Sequence, residues 1–521
     1  MKVSRELLIV VLIISVAAFF RLYKLEVYPP GLYPDEAMNG NNAIQAIEGV
    51  PPAGGYKIFY PENNGREGLF IALQTASIKI FGNTAYALRV VSAIAGVLTV
   101  LGTYLLTRKL FNWQIAAISS FALAVSFWHV VFSRIGFRAI MAPLLITYGI
   151  YFFWNGLSSA RKRSFLISGI CWGLGFYTYI SFRIMPLALV ATLLAYWFAL
   201  KKDFEHERYI ETRNRIVQGL AVFMVTVIII VLPLAYHFYV HPGDFMGRLT
   251  KVSVFEDTNP LLTILKNTGK TLGMFNFIGD RNWRHNISGE SVLFWPIGIF
   301  AVIGFFKSIF KLERSRQKHG HLSPAHVLLL SWFFLGLLPV ILSTEGIPHS
   351  LRAIVVIPVV YIFVAEGLWW MFEYAQSWYY ARDVHLRHIP FTHLTVHEST
   401  VVSAIVLSVF LGSVGAYEFK RYFYDWGPRQ EVRDEFNQNY VDIAKNLLAL
   451  PTSRIKYVLV NRDTGVSVNG IPVTAQTIMY LTDTYTPEKQ RAKNIYYLTK
   501  EQYARRDFLP NATIFPLEKI K

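Results

Sequence analysis

Tyr28-Pro29-Pro30-Gly31-Leu32-Tyr33-Pro34-Asp35-Glu36 places two adjacent carboxylates just beyond the first apolar run of the chain, residues 7–20. Neighbouring residues on a helix point about 100° apart, so one carboxylate can face a cleft while the other holds backbone or a cation. A carboxylate facing a cleft is suited to taking a proton from an attacking hydroxyl or amine. Pro34-Asp35-Glu36 ahead of Ala-Met-Asn also reads as a plain helix start, with the acid serving as a cap. Both readings stand on these residues.

Outward from this stretch the chain is apolar throughout. Its 521 residues are 53% hydrophobic and only 16% charged, with a mean hydropathy of +0.35. Soluble proteins hold about 45–50% apolar and about 25% charged residues, so this is the composition of an integral membrane protein. The net charge of +17 does not point to nucleic acid, because the Lys and Arg sit in short segments between apolar runs and act as topology signals. The single cysteine, Cys171, lies inside an apolar run and offers neither a disulfide framework nor a thiolate zinc site. Lys2 and Arg5 before the first run resemble a signal peptide. No small-x-small cleavage site follows, and Arg21, Tyr23 and Lys24 mark the run instead as an uncleaved spanning helix.

Further runs approaching the roughly 20 residues a span requires lie at 87–107, 115–132, 139–154, 165–179, 184–200, 217–238, 292–310, 327–342, 353–372 and 401–417, which predicts about eleven transmembrane helices. Arg108/Lys109, Arg161 to Arg163, 201–215, 311–318 and Arg382/Arg387 share alternate loops with the N-terminus, so these are the predicted cytoplasmic loops of a multi-pass plasma-membrane protein. The predicted outer side carries 22–86, the turns at 134–138 and 181–183, the long loop 237–290, the turn 343–352 and everything from 418 on. A membrane domain over 1–417 and an extracytoplasmic domain over 418–521 follow. In the tail, Phe436, Tyr440, Ile443 and Leu447 recur at helical spacing, while 455–460 and 495–498 are β-rich, giving a small α/β unit.

The outer segments also collect cations. Tyr60-Pro-Glu-Asn-Asn-Gly-Arg-Glu-Gly-Leu-Phe70 precedes the amphipathic stretch 71–81, too short to span and suited to the membrane interface. Arg66 and Glu67 then lie at headgroup depth, where Arg66 either forks a lipid phosphate or anchors the interface. Arg134 and Arg138 flank Ile-Gly-Phe, Arg183 closes Tyr177-Thr-Tyr-Ile-Ser-Phe-Arg183, Arg284 and His285 lie in 279–286, and His349 and Arg352 lie in 347–352. Cations at outer helix ends run against the usual loop bias. Facing one cavity they would bind a phosphate leaving group; singly, each pairs with Asp280, Glu345 or a carbonyl. His285 and His349 with a carboxylate are also a set of metal donors, without an HxxxH-type spacing behind it.

The loop with Asp35-Glu36, then Arg66-Glu-Gly-Leu-Phe70, the interfacial 72–81 and Ala87-Leu-Arg-Val90 resemble the start of the lipid-carrier glycosyltransferases of the GT-C fold. The resemblance is to glycosyltransferase family 39, akin to protein O-mannosyltransferases and the lipid A aminoarabinose transferase. It extends through Phe132 to Arg138, Tyr177-Thr-Tyr179 with Arg183 and Pro186, 279–286 and Pro348 to Arg352, essentially the whole membrane region. It implies a mainly α GT-C bundle and a base at the first acidic residue of the first outer loop, carried over to Asp35 with Glu36 as its catalytic neighbour. It also implies a polyprenyl-phosphate sugar donor and an acceptor glycan, lipid or protein among membrane lipids, with no nucleic acid. The aminoarabinose transferase opens its interfacial helix with Glu-Lys-Pro-Pro-Leu where this chain has Gly65-Arg-Glu-Gly-Leu69. The cation is kept and the preceding acid is not, which speaks against copying the aminoarabinose donor. The expected reaction is an inverting transfer in which Asp35 deprotonates the acceptor, and Arg66, Glu67, Arg134, Arg138, Arg183, Arg284, His285, His349 and Arg352 serve the substrate and its phosphate. No cofactor is required by that scheme. A transporter or flippase of an anionic lipid-linked substrate is the rival reading. Transporters place ionisable groups near the midplane, whereas here Glu366 is the main charge well inside a run and the candidate polar groups crowd one face. A membrane protein whose tail binds a partner, with carboxylates as caps, is the third.

Overall fold

Backbone in hydrocarbon must satisfy its own N–H and C=O groups, and the apolar runs accordingly fall on helices. The computed structural model describes residues 5–49, 55–63, 65–203, 205–246, 253–386, 396–462, 465–468 and 470–518. Among them, eight helices are long and apolar enough to cross a membrane, and a bent pair, Trp113–Val125 with Phe127–Ser133 at 59°, makes a ninth. The expected count of about eleven falls by two. The Arg5–Leu22 helix carries Arg5, Glu6 and Arg21 within 18 residues. The Lys162–Gly175 helix has 14 residues, roughly 21 Å, short of the ~30 Å hydrocarbon core. Both pack in the bundle, the first on Ala85–Leu110 and Trp113–Val125, the second between Met141–Ser159 and His206–Val240. Arg387, residue 204 of the basic 201–215 stretch and residues 247–252 of the 237–290 loop lie outside the described residues.

The bend at Ser126 frees helix carbonyls, and a buried arginine takes them. Arg21 Nη1 donates to Ala124 O at 2.8 Å and Ala17 O at 3.0 Å, and Nη2 contacts Leu123 O at 3.4 Å and His129 Nδ1 at 2.7 Å. A guanidinium has only donors, so His129 Nδ1 is the acceptor. Glu366 is also compensated: Ser308 Oγ donates to it at 3.0 Å, with Lys307 Nζ at 3.7 Å and His326 Nε2 at 3.6 Å.

The last span, Ser403–Trp426, ends in a π-helical turn over Arg421–Trp426. Beyond it the tail forms a parallel three-stranded sheet with Lys456–Val460 between Ile495–Thr499 and Thr513–Pro516. The predicted helix is Gln438–Ala449, packing Tyr440, Ala444 and Leu447 on Val458 and Tyr497, while Phe436, expected on the same face, ends the preceding helix and packs into the membrane-domain core instead. The tail's Gln476–Thr482 helix lies on the Pro34–Glu48 helix of the first loop. Asn41 Nδ2 donates to Gln476 Oε1 at 2.8 Å, Thr477 Oγ1 to Leu32 O at 2.8 Å and Tyr480 OH to Thr84 O at 3.1 Å.

Gly40 is the contact point, because a Cβ there would press into the Tyr480 ring. Gly40→Val is expected to cost about 1–3 kcal/mol by overpacking and to loosen the tail from the loop. Limited proteolysis of the purified protein reads this as faster cleavage ahead of the tail with the bundle intact. An unchanged pattern would place the tail's anchorage elsewhere.

Candidate active site

The Pro34–Glu48 helix begins with proline at its first position and both acids in its first turn, where the helix dipole favours negative charge. The cap position falls on Tyr33, whose backbone N–H donates to Glu36 Oε1 at 3.3 Å. Glu36, not Asp35, therefore does the capping.

Glu36 is fully buried. Its Oε2 accepts from Arg89 Nε at 3.0 Å and Gly136 N at 2.6 Å, and its Oε1 from Arg89 Nη2 at 3.1 Å. Arg89 in turn donates to Pro29 O at 2.7 Å and Gly31 O at 2.8 Å. Glu36 thus bolts the loop to the bundle and has no oxygen left for substrate, which corrects its expected place in a catalytic pair. Asp35 is half-buried, accepts from Asn63 Nδ2 at 2.8 Å, and faces a cavity of about 100 Å³ shared with Asn39, Arg66, Arg138 and Tyr179.

Arg66 is presented by a short antiparallel pairing of Arg66–Glu67 with Phe59–Tyr60. Its Nη1 donates to Asn39 Oδ1 and its Nη2 to Asn42 Oδ1, both at 2.6 Å, while the nearest carboxylate ion pair is Glu62 at 3.9 Å. Neutral amides hold the guanidinium in place without cancelling its charge. Burial lowers its pKa to about 10, helped by Arg138 and opposed by Asp35 and Glu62, so it remains a cation at neutral pH. Glu67 is buried between Arg138 Nε at 2.8 Å and Arg183 Nη2 at 3.5 Å. Gly65 adopts φ 78° and its carbonyl accepts from Arg138 Nη2 at 3.2 Å. A glutamate would be strained in that backbone, so the acid absent here has no conformational place.

Tyr179 also lines a second cavity of about 960 Å³, walled by Leu187, Phe245, Leu338 and Leu342, with Arg183 and Arg352 among its lining. On the other side of Arg183 lies an apolar groove of about 590 Å³ along Val231, Leu234 and Phe238. The Arg183 guanidinium sits 5.3 Å from the Phe238 ring and 4.8 Å from that of Phe245. Arg352 is held by Glu345 Oε2 and Glu345 O at 2.9 and 2.8 Å and by Ser343 Oγ.

The remaining expected residues lie away from the Asp35 cavity. Arg134 is fully buried and donates to Phe20 O, Tyr23 O, Lys24 O and Tyr28 O at 2.8 to 3.0 Å. Those bonds satisfy chain-end carbonyls of the first helix and the loop after it, which removes Arg134 from the phosphate set. Arg284 pairs with Glu435 at 3.3 Å and stacks 4.1 Å over Tyr33. His285 and His349 gather on Asp280, at 3.1 and 3.9 Å from Nδ1 to Oδ2. Burial, reinforced for His349 by its neighbour His285, lowers both imidazoles, His349 to about 3, so both are neutral at neutral pH. Burial alone would raise the Asp280 carboxyl, but the His285 hydrogen bond and the two imidazoles outweigh it and hold it below its ordinary range.

Sequence reasoning passed over Asn39, Asn42, Asn63 and Arg89. Asn39 and Asn42 stand three apart and share one helix face, a signal present in Asn39-Gly-Asn-Asn42. Arg89, a charge beginning an apolar run, called for a buried acid.

Residues 69–237, roughly a third of the chain, match the family model for dolichyl-phosphate-mannose-protein mannosyltransferase. Among solved structures, the apo oligosaccharyltransferase of Archaeoglobus fulgidus superposes with a TM-score of 0.55 at 14% identity, over 98% of this chain and 67% of that one. ArnT of Cupriavidus metallidurans, bound to undecaprenyl phosphate, gives 0.52 at 14% identity over 95% of this chain and 90% of that one. The archaeal AglB of A. fulgidus, in complex with an inhibitory peptide and a dolichol-phosphate, gives 0.52 at 14% over 91% and 63%. No curated protein matches the sequence. The chain is a multi-pass membrane protein with the GT-C fold of these glycosyltransferases, as its motifs lead one to expect.

Proposed function

We propose that this protein transfers a sugar from a polyprenyl-phosphate donor to an acceptor on the extracytoplasmic side of the membrane, with inversion and with Asp35 as the base. The observation that carries the reading is a carboxylate and two guanidiniums around one small polar cavity, sharing Tyr179 with a large, mainly apolar one. A donor with a charged head and a hydrocarbon tail matches that pairing. Undecaprenyl phosphate in the ArnT structure and dolichol-phosphate in the AglB complex are molecules of this kind. The acceptor oxygen gives its proton to Asp35 as it attacks C1 of the sugar, and the C1–O bond breaks with its electron pair going to the departing phosphate. Arg66 and Arg138 carry the charge that develops there, an electrostatic task needing no redox or covalent step. A single displacement at C1 inverts it. The isoprenoid tail lies along Leu187, Leu338 and Leu342, and the tail domain, seated on the Asp35 helix, covers the acceptor side.

Charge supports the extracytoplasmic side. Arg89 near the start of the Ala85–Leu110 helix reaches Glu36, whereas Arg108 and Lys109 lie at its other end. The basic Arg108–Lys109 end of this helix thus faces away from Asp35, which supports reading that end as cytoplasmic under the positive-inside rule.

Binding of a labelled polyprenyl-phosphate sugar to the purified protein tests the assignment. Arg66→Ala should weaken binding by roughly tenfold to a hundredfold, the loss of one charge-assisted contact of about 1.5–3 kcal/mol. Arg66→Lys keeps the charge but loses the fork and should fall between Ala and parent. Parent-like affinity in both would move the phosphate to Arg183 or Arg352.

A further inference from the structure

We propose that Asp280, His285 and His349 form a binding site for one divalent transition-metal ion of the zinc type, clasping the 279–290 loop to the 346–352 turn. One ligand atom from each lies within 4.8 Å of the others. Asp280 Oδ2 is 3.1 Å from His285 Nδ1 and 3.9 Å from His349 Nδ1, and the two rings are 5.0 Å apart. Zinc with N and O ligands at 2.0–2.2 Å sets tetrahedral ligand atoms about 3.3 Å apart, so the widest pair of this trio needs to close by at most about 1.5 Å.

A hydrogen-bonded hub without metal accounts for His285, whose Nδ1 lies within bonding distance of the carboxylate. It does not account for His349. The His349 Nδ1 accepts from Arg352 N at 3.4 Å and so bears no proton, yet it lies 3.9 Å from a carboxylate oxygen. Two acceptors facing each other is an arrangement that a cation resolves. The nearby guanidiniums do not supply it: Arg284 pairs with Glu435 and Arg352 with Glu345. The carboxylate is also oriented as a ligand is, with Ser350 N donating to Oδ2 at 2.8 Å and Asn282 N to Oδ1 at 2.9 Å. Three protein donors leave a coordination position for water. The ion's role is structural: the turn it fixes carries Leu351 and Arg352 into the two cavities. This assignment stands apart from the transfer reading and uses none of the Asp35 chemistry.

The test uses the full-length protein in detergent, freed of any affinity tag, stripped with a chelator and titrated with Co²⁺ and Zn²⁺. One Co²⁺ per chain should bind with visible d–d absorption, displaced by Zn²⁺, and Zn²⁺ should raise the melting temperature. His349→Ala keeps the Asp280–His285 bond, so its metal-free form should melt with the parent while its metal affinity falls at least tenfold. His349→Gln serves the same comparison should the alanine variant fold poorly. Absence of saturable one-to-one binding in the parent, or unchanged binding in the His349 variants, overturns the site.

Discussion

Asp35→Asn should lower sugar transfer by a factor of roughly 10² to 10⁴ while leaving folding and donor binding near those of the parent. The amide has the same shape, and its oxygen can still accept from Asn63, which now donates at 2.8 Å. What disappears is the basicity that removes the acceptor proton, a contribution of that order in general-base catalysis. The helix start is not at risk, because Glu36 caps Tyr33. Donor affinity should hold or rise, since a negative charge leaves the neighbourhood of Arg66. Transfer rate, donor binding and melting temperature measured on one preparation separate the outcomes. A parallel fall in all three would make Asp35 a scaffold residue, and a parent-like rate would place the base elsewhere.

The next residue should behave in the opposite way. Glu36→Ala leaves the fully buried Arg89 without its counter-charge and strands the backbone N–H groups of Tyr33 and Gly136. Removing one partner of a buried ion pair costs about 3–5 kcal/mol, enough to deplete folded protein outright. Thermal unfolding in detergent checks this. Glu36→Leu combined with Arg89→Met should recover part of the loss, because two apolar side chains of similar size leave no orphan charge. If Glu36→Ala melts with the parent, the loop is held by the tail domain instead.

These two residues mark how far the sequence could be read. That one acid of an adjacent pair faces a cleft while the other holds a cation follows from helix geometry alone. Which is which depends on Arg89, 53 residues away. Helical spans were legible because hydrocarbon permits no other way to satisfy this backbone, and the bend at Ser126 was not, since no proline or glycine announces it. Arg134 looked like a ligand for phosphate because its placement at an outer helix end is unusual. The carbonyls of Phe20, Tyr23, Lys24 and Tyr28 that claim it converge only through packing. In the tail, the spacing of Tyr440 and Leu447 and the β-rich runs at 455–460 and 495–498 led to the right elements. The third strand, Thr513–Pro516, is too short and proline-terminated to announce itself.

The arginine that fills the bend also bears on how the protein is made. Arg21 is made before its acceptors Leu123 O and Ala124 O, which come 102 and 103 residues later. Until those carbonyls are present, the guanidinium, one residue from the end of its helix, can only stay at headgroup depth. The seat of the Arg5–Leu22 helix is therefore complete only once the bent pair, made well after it, is in place.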